Sequence, residues 1–220
     1  EHPDHRRVLR DFADARYRLF CRVFEERIAA WCRDHRLLYA GEKPAFTLSQ
    51  LRYMDIPGCE PGHTKAGALP DLLLGRIRRN AKAVASAAFF YRKPGSLCEC
   101  FHSLGWSATL LDARVIAEAL LLLGIRMLVP HGFFYTTHGL AKHDAPPTFF
   151  FQMPFWFLMK HLSARLAAIQ ERLEDTEVAP SVLVYDPSAG LPTTEEQELY
   201  SRALYALMAR HIDFLIVDRE

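Results

Sequence analysis

The 220-residue chain lacks any apolar run of the ~20 residues that a membrane-spanning helix needs. Its longest apolar stretch, around residues 117–125, predicts a buried helix instead. The chain also lacks a surplus of charge, because 27 Lys and Arg residues against 26 Asp and Glu residues leave a net charge of +1. We therefore expect neither a membrane nor a nucleic acid as its partner.

Cysteine is scarce and irregularly spaced. The five cysteines form no Cys-x-x-Cys pair and lie at Cys21, Cys32, Cys59, Cys98 and Cys100. An odd number without that spacing argues against a disulfide framework and against a zinc ribbon, and is typical of reduced, partly buried thiols. His131, His138 and His143 also lack the short spacing of a zinc site. We therefore expect no metal and no cofactor.

The sequence has neither an initiator Met nor a signal peptide, and it stops just after a strand-like run. We therefore interpret it as a piece of a longer polypeptide. A cytoplasmic location is the default expectation for this chain, and a secreted or periplasmic full-length protein is the alternative.

Helical and strand-like segments alternate along the chain. Apolar residues at three- and four-residue steps predict helices at residues 7–34, 71–91, 112–123, 155–173 and 194–211. Short apolar runs predict strands at residues 37–41, 51–56, 96–99, 125–129, 181–185 and 214–217. Pro57-Gly58 is expected to stop the second strand, and residues 131–154 are expected to be an aromatic loop. The alternation predicts an α/β fold with a parallel sheet.

Acidic residues and one histidine stand where four of these strands are expected to end. They are Glu42, Asp55, Glu99 and, after Pro130, His131. In parallel α/β folds the ligand lies at the carboxyl ends of the strands. Hydrolysis of a glycoside needs two carboxyl groups, one as acid and one as nucleophile or base. The sequence therefore predicts a carboxylate site at this edge, with a merely solvated Glu99 as the alternative.

Three groups of residues also resemble the barrel of large bacterial glycoside hydrolases of the α-L-rhamnosidase type, family 106 and its relatives. The groups are Ser86-Ala87-Ala88 with Leu97-Cys98-Glu99-Cys100-Phe101 and Gly105-Trp106, Pro130-His131 with Tyr135, Gly139 and the run from Lys142 to Pro147, and Gln152-Met153-Pro154-Phe155-Trp156. The resemblance covers roughly residues 7–218. Cys98 stands where those relatives have Ser, His102 where they have Gly, and Thr136 where they have Ser.

The resemblance implies that this chain is the C-terminal part of a (β/α)8 TIM-type barrel followed by the start of a second α/β domain. The barrel segment would span residues 1–178 and hold about strands five to eight. The incomplete second domain would span residues 179–220. The missing upstream half of the barrel, or another partner, would then complete the fold.

Glu99 is the main catalytic candidate, and Glu42 or Asp55 is the candidate second carboxylate. Cys98 and Cys100 flank Glu99 and are expected to pack on the opposite face of its strand. The candidate substrate-binding residues are Trp106, His131, Tyr135 and Asp144. Trp106 and Tyr135 are equally compatible with a core position, and Asp144 with a turn before Pro146-Pro147.

The expected function is therefore hydrolysis of a carbohydrate substrate, an α-L-rhamnoside or a related deoxy-sugar linkage in a polysaccharide. One alternative is a catalytically degenerate carbohydrate-binding relative, which the departures at Cys98 and His102 permit. Another is an unrelated α/β protein. The basic residues Arg76, Arg78, Arg79 and Lys82 are expected to form a solvated helix face rather than a nucleic-acid patch.

Overall fold

The computed structural model describes residues 2–42, 47–61, 80–174, 176 and 180–219. Within these ranges the helices are α1 (His5–Phe20), α2 (Glu26–Asp34), α3 (Ala81–Phe90), α4 (Leu110–Leu122), α5 (Met159–Glu174) and α6 (Thr194–Ala209). The strands are β1 (Ala40–Glu42), β2 (Ile56–Cys59), β3 (Leu97–Cys100), β4 (Met127–Pro130), β5 (Val182–Tyr185) and β6 (Phe214–Val217). The predicted α/β class is confirmed.

The strands form two parallel sheets in the described ranges. The larger sheet has the order β1-β2-β3-β4, which is also their order along the chain. The smaller sheet pairs β5 with β6. Phe214 and Ile216 of β6 belong to the same hydrophobic cluster as the buried residues of α3 and α4. The predicted domain boundary at residues 178 and 179 stays a prediction.

The two faces of the larger sheet differ in burial. Cys59, Cys98 and Cys100 lie on the face that packs against α3 and α4, and all three are fully buried. On the opposite face, Met127 and Val129 of β4 are each 45% exposed. The prediction that Cys98 and Cys100 are packing residues is confirmed. On the opposite face Ile56 and Leu97 are buried, so the described part of the chain leaves that face open only along β4.

Side-chain caps explain where three of the helices begin. The Asn80 side chain accepts a hydrogen bond from the Ala83 N–H at the start of α3. Thr109 and Asp112 form a reciprocal capping box at α4, and Thr193 and Glu196 form another at α6. Such caps satisfy N–H groups that have no partner within the helix.

The long helix predicted for residues 7–34 is present with one interruption. Between α1 and α2 the backbone widens into a turn of π-helix, Cys21–Glu25. The Glu25 carboxylate is fully buried there and accepts hydrogen bonds from the Tyr39 hydroxyl at 2.8 Å and the Gln50 amide. Because a buried charge is costly without such partners, these bonds fix α1 and α2 against the start of the larger sheet.

The strand predicted for residues 51–56 is wrong in its position. Leu48–Tyr53 forms a 3₁₀ helix, and β2 begins at Ile56 and runs through Pro57 and Gly58. Pro57 is tolerated because the pairing of β2 with β3 begins only at Gly58. The missing N–H of Pro57 therefore leaves no gap in the hydrogen bonds between these strands.

Lys82 contradicts the expectation of a solvated basic face. Its side chain is only 5% exposed, and its Nζ lies 2.6 Å from Oδ1 of Asp213. The ammonium group also lies 5.6 Å from the centre of the Phe214 ring. Lys82 thus joins α3 to the start of β6. Arg76, Arg78 and Arg79, with the first part of the helix predicted for residues 71–91, lie outside the described residues.

Ser86 makes a second connection between α3 and β6. Its buried hydroxyl donates a hydrogen bond to the Lys82 carbonyl at 2.6 Å and accepts one from the Ile216 N–H at 2.9 Å. The Ile216 N–H is thereby satisfied by a side chain on a helix, 130 residues away in sequence.

We expect Ser86→Ala to lower the free energy of unfolding by about 1–3 kcal/mol, because the buried Ile216 N–H loses its acceptor. Urea unfolding followed by circular dichroism measures this loss. Ser201→Ala is the matched control, since the Ser201 hydroxyl bonds only the Gln197 carbonyl of its own helix. Equal unfolding midpoints for the two variants would show that the contact of Ser86 with β6 contributes nothing.

None of the helices in the described ranges is long and apolar enough to cross a membrane.

Candidate functional site

Glu99 lies near the carboxyl end of β3, with buried Cys98 and Cys100 on either side of it in sequence. It pairs across the sheet with Val129, so its side chain is on the open face, level with that exposed residue. The side chain is half-buried. Within the described ranges its carboxylate has no hydrogen bond and no ion pair with an Arg or Lys. It is therefore neither fixed to a guanidinium nor fully exposed.

Two further glutamates lie at the ends of the neighbouring strands. Glu42 is the last residue of β1 and pairs with Gly58, which in turn pairs with Leu97. Glu42 is therefore level with Leu97. Because side chains two residues apart on a strand point to the same face, Glu42 lies on the same face of the sheet as Glu99. Glu60 directly follows β2. The carboxyl edge of three adjacent strands therefore carries one glutamate each.

Two histidines follow β3 and β4 at the same edge. His102 Nε2 lies 3.3 Å from Oε1 of Glu60, and both side chains are more than four-fifths buried. The ring of His131 stands edge-on to that of His102, with 6.4 Å between the ring centres. The His131 backbone N–H bonds the Cys100 carbonyl at 2.8 Å, which holds the residue beside the end of β3. Its Nδ1 is buried and has no hydrogen-bond partner among the residues described.

Asp55 does not reach this edge. It precedes β2, and its Oδ2 accepts a hydrogen bond from the Tyr39 N–H at 2.8 Å, while its own N–H bonds the Tyr39 carbonyl. The prediction that Asp55 lies at the carboxyl end of its strand is therefore wrong, because β2 starts at the residue after it. Asp55 fixes the chain ahead of β1 to the amino-terminal end of β2.

The other candidates for sugar contacts lie in the loops beyond the edge. The Trp106 ring is 41% exposed, and its Nε1 donates a hydrogen bond to the Lys142 carbonyl at 2.8 Å. The Tyr135 side chain is 93% exposed. Asp144 follows the short 3₁₀ helix Gly139–His143 and is exposed as well. None of the three belongs to the core, so the alternative of a core position for Trp106 and Tyr135 is excluded.

The cysteines beside Glu99 are unsuited to chemistry. Burial raises the pKa of the Cys98 thiol and of the Cys100 thiol well above the usual range. Because the thiolate is the nucleophile and the metal ligand, these neutral thiols are inert packing groups. Among the described residues, no three His, Cys, Asp or Glu side chains are arranged to hold a metal ion.

Comparisons with family models, curated proteins and solved structures give no match to this chain. Half-buried carboxylates can accept hydrogen bonds from the hydroxyl groups of a ligand. They can also act as general acid or base on a bond of a ligand that lies between two of them. A carboxylate beside an imidazole orients the ring.

Glu60 is the residue of this edge that the sequence pattern missed. Pro57 and Gly58 suggest a turn, so the residues after them were expected to be loop. A strand that continues through Pro57-Gly58 makes Glu60 the first acid after β2. With the strand placed correctly, Cys59-Glu60-Pro61 would have indicated a strand end that carries an acidic residue.

Proposed function

We propose that the protein is a glycoside hydrolase whose reaction centre lies at the carboxyl edge of β1–β4. The observation that carries the proposal is the set of three glutamates, Glu42, Glu60 and Glu99, at the ends of three adjacent parallel strands. Their side is the one on which parallel α/β folds bind ligands. Glycoside hydrolysis uses paired carboxyl groups as its main chemical equipment.

A barrel is the architecture that we propose for the larger sheet. Doubly wound sheets reverse their strand order at a switch point, whereas barrels keep it sequential. The order β1-β2-β3-β4 has no reversal, and the core helices α3 and α4 cover one face of it. The open face, with Met127 and Val129 45% exposed, is the side that the rest of a barrel would cover. These features support strands β1–β4 as half of an eight-stranded barrel.

Glu99 is the proposed nucleophile or general base, and Glu42 is the proposed second carboxyl group. Strands β1 and β3 flank β2, so their backbones are separated by roughly 10 Å, twice the spacing of neighbouring strands. The register also offsets Glu42 from Glu99 by two residues, about 7 Å along the strands. The two side chains therefore have to extend towards each other to reach the ~6.5–9.5 Å spacing of inverting enzymes. Glu60 orients His102, and His131 is a candidate to bind a sugar hydroxyl through its buried Nδ1.

The proposed substrates are α-L-rhamnosides or related deoxy-sugar glycosides, on the resemblance given above. The second candidate function is carbohydrate binding without catalysis. It is favoured by His102, which stands where the resembling enzymes have Gly and engages Glu60 at 3.3 Å. A side chain in that position narrows the room for a substrate beside the carboxylates.

A panel of p-nitrophenyl glycosides tests both candidates. Release of p-nitrophenol from the α-L-rhamnoside or another deoxy-sugar glycoside is the result expected of the hydrolase. Titration of methyl α-L-rhamnopyranoside, followed by calorimetry, is the parallel assay. Binding of the methyl rhamnoside without release of p-nitrophenol would contradict the hydrolase and support carbohydrate binding without catalysis. Neither binding nor release by the folded protein would overturn both.

A further inference from the structure

We propose that a groove beside the end of β4 binds a saccharide, as a subsite for sugar units beyond the one at the carboxylates. This proposal rests on the proposed function and names a second part of its binding surface. The groove has a volume of about 410 Å³, a size typical of small-molecule sites. We call it the aromatic groove; it is lined by Phe133, Trp156, Phe157, Met159, Lys160 and Ser163.

The aromatic rings of the groove are accessible, and two of them, Phe133 and Trp156, are held by ring contacts. Phe133 is 55% exposed, Phe157 is 68% exposed and Trp156 is 38% exposed. Trp156 packs edge-to-face against Phe133 at 6.1 Å and against Phe150 at 5.0 Å between ring centres. Such pairs fix the orientation of flat apolar surfaces. A flat ring matches the C–H face of a pyranose, and two polar side chains at the same groove, Lys160 and Ser163, can bond its hydroxyls.

Hydrogen bonds hold the loop that carries Phe133 in this shape. The Gly132 carbonyl accepts a bond from the Phe149 N–H at 2.9 Å. The Phe134 carbonyl accepts one from the Gln152 amide at 2.7 Å. The Phe134 N–H bonds the Thr148 hydroxyl at 3.1 Å. Because both neighbours of Phe133 are tied to one segment, the Phe133 side of the groove is ordered before any ligand arrives, which lowers the entropy cost of binding.

The place of Phe133 in the chain favours a saccharide as the occupant of the groove. Phe133 is two residues beyond His131, which directly follows β4 and is bonded to the end of β3. β3 carries Glu99, so Phe133, the first lining residue of the aromatic groove, follows closely in sequence on the edge that carries the carboxylates. A polysaccharide bound with one linkage at Glu99 would extend neighbouring sugar units along this edge.

The test measures binding of a rhamnose trisaccharide by the quenching of tryptophan fluorescence and by calorimetry. We expect Phe157→Ala to weaken trisaccharide binding at least 10-fold and Phe157→Leu to weaken it similarly, because leucine keeps the apolar character but not the flat ring. Hydrolysis of the p-nitrophenyl glycoside, which has only one sugar unit, should change less than 2-fold. Phe89→Ala is the matched control, since Phe89 is 45% exposed and lies on α3.

The outcomes separate this proposal from the proposed function. Trisaccharide binding that depends on Phe157 in a protein without hydrolysis would support the groove and overturn the hydrolase. Hydrolysis with trisaccharide affinity unchanged in both Phe157 variants would overturn the groove alone. A change in sedimentation of Phe157→Ala without any change in sugar binding would overturn it as well, in favour of a protein interface. Phe133→Ala repeats the test from the other side of the groove.

Discussion

Replacing Glu99 by glutamine is expected to reduce the turnover of a p-nitrophenyl glycoside substrate by about 10³-fold, within the range of a general acid or base. The amide keeps the size of the side chain and its capacity to accept a hydrogen bond. It cannot carry the negative charge that a nucleophile or base requires. The fold should not change, because the Glu99 carboxylate has neither hydrogen bond nor ion pair in the described ranges and lies on the open sheet face.

The kinetic measurement needs a control that changes charge in the same way. Glu171→Gln provides it, because Glu171 is an exposed residue of α5 and is distant in sequence from the ends of β1 to β4. Its turnover should stay within 2-fold of the parent. Circular dichroism and thermal unfolding should be alike for the parent and both variants. Unchanged turnover in Glu99→Gln would remove Glu99 from the chemistry and with it the proposed reaction centre.

The parts of the fold that the sequence predicts are those governed by local periodicity. The helices α1 and α2 show apolar residues every three to four positions, and the strand pairs β3–β4 and β5–β6 are short apolar runs between helices. These features depend on contacts within a few residues, so a linear pattern contains them.

The errors arise where a partner distant in sequence decides the outcome. Pro57-Gly58 is a sequence typical of a turn, but both residues are part of β2, which pairs with β1 and β3. Lys82 belongs to a basic cluster that is typical of a solvated helix face, but its side chain is buried, and Asp213, 131 residues later and half-exposed, pairs with its ammonium group. Glu60 was missed because the strand was expected to stop at Pro57-Gly58, whereas β2 ends at Cys59, directly before Glu60.

Gly58→Ala is expected to destabilise the protein by about 3 kcal/mol, at the upper end of the range for overpacking. A Cβ at residue 58 would lie 2.5 Å from the Gly41 carbonyl oxygen and 2.6 Å from Leu97 Cδ1. The leucine side chain can rotate away, but the carbonyl belongs to the backbone of β1. Strand β1 must therefore move away from β2, which weakens the pairing of Gly41 and Glu42 with their partners.

Gly95→Ala is the matched control, because a Cβ there would meet its nearest neighbour, Arg126 Cβ, at an ordinary 3.7 Å. Its urea midpoint should stay close to that of the parent, while that of Gly58→Ala should fall. Since Glu42 ends β1, the displaced strand also carries the proposed second carboxyl group out of line with Glu99. Glycoside turnover should therefore fall in Gly58→Ala even at temperatures where the variant is folded. Equal midpoints for the two alanine variants would show that β1 and β2 are not packed as closely as this register requires.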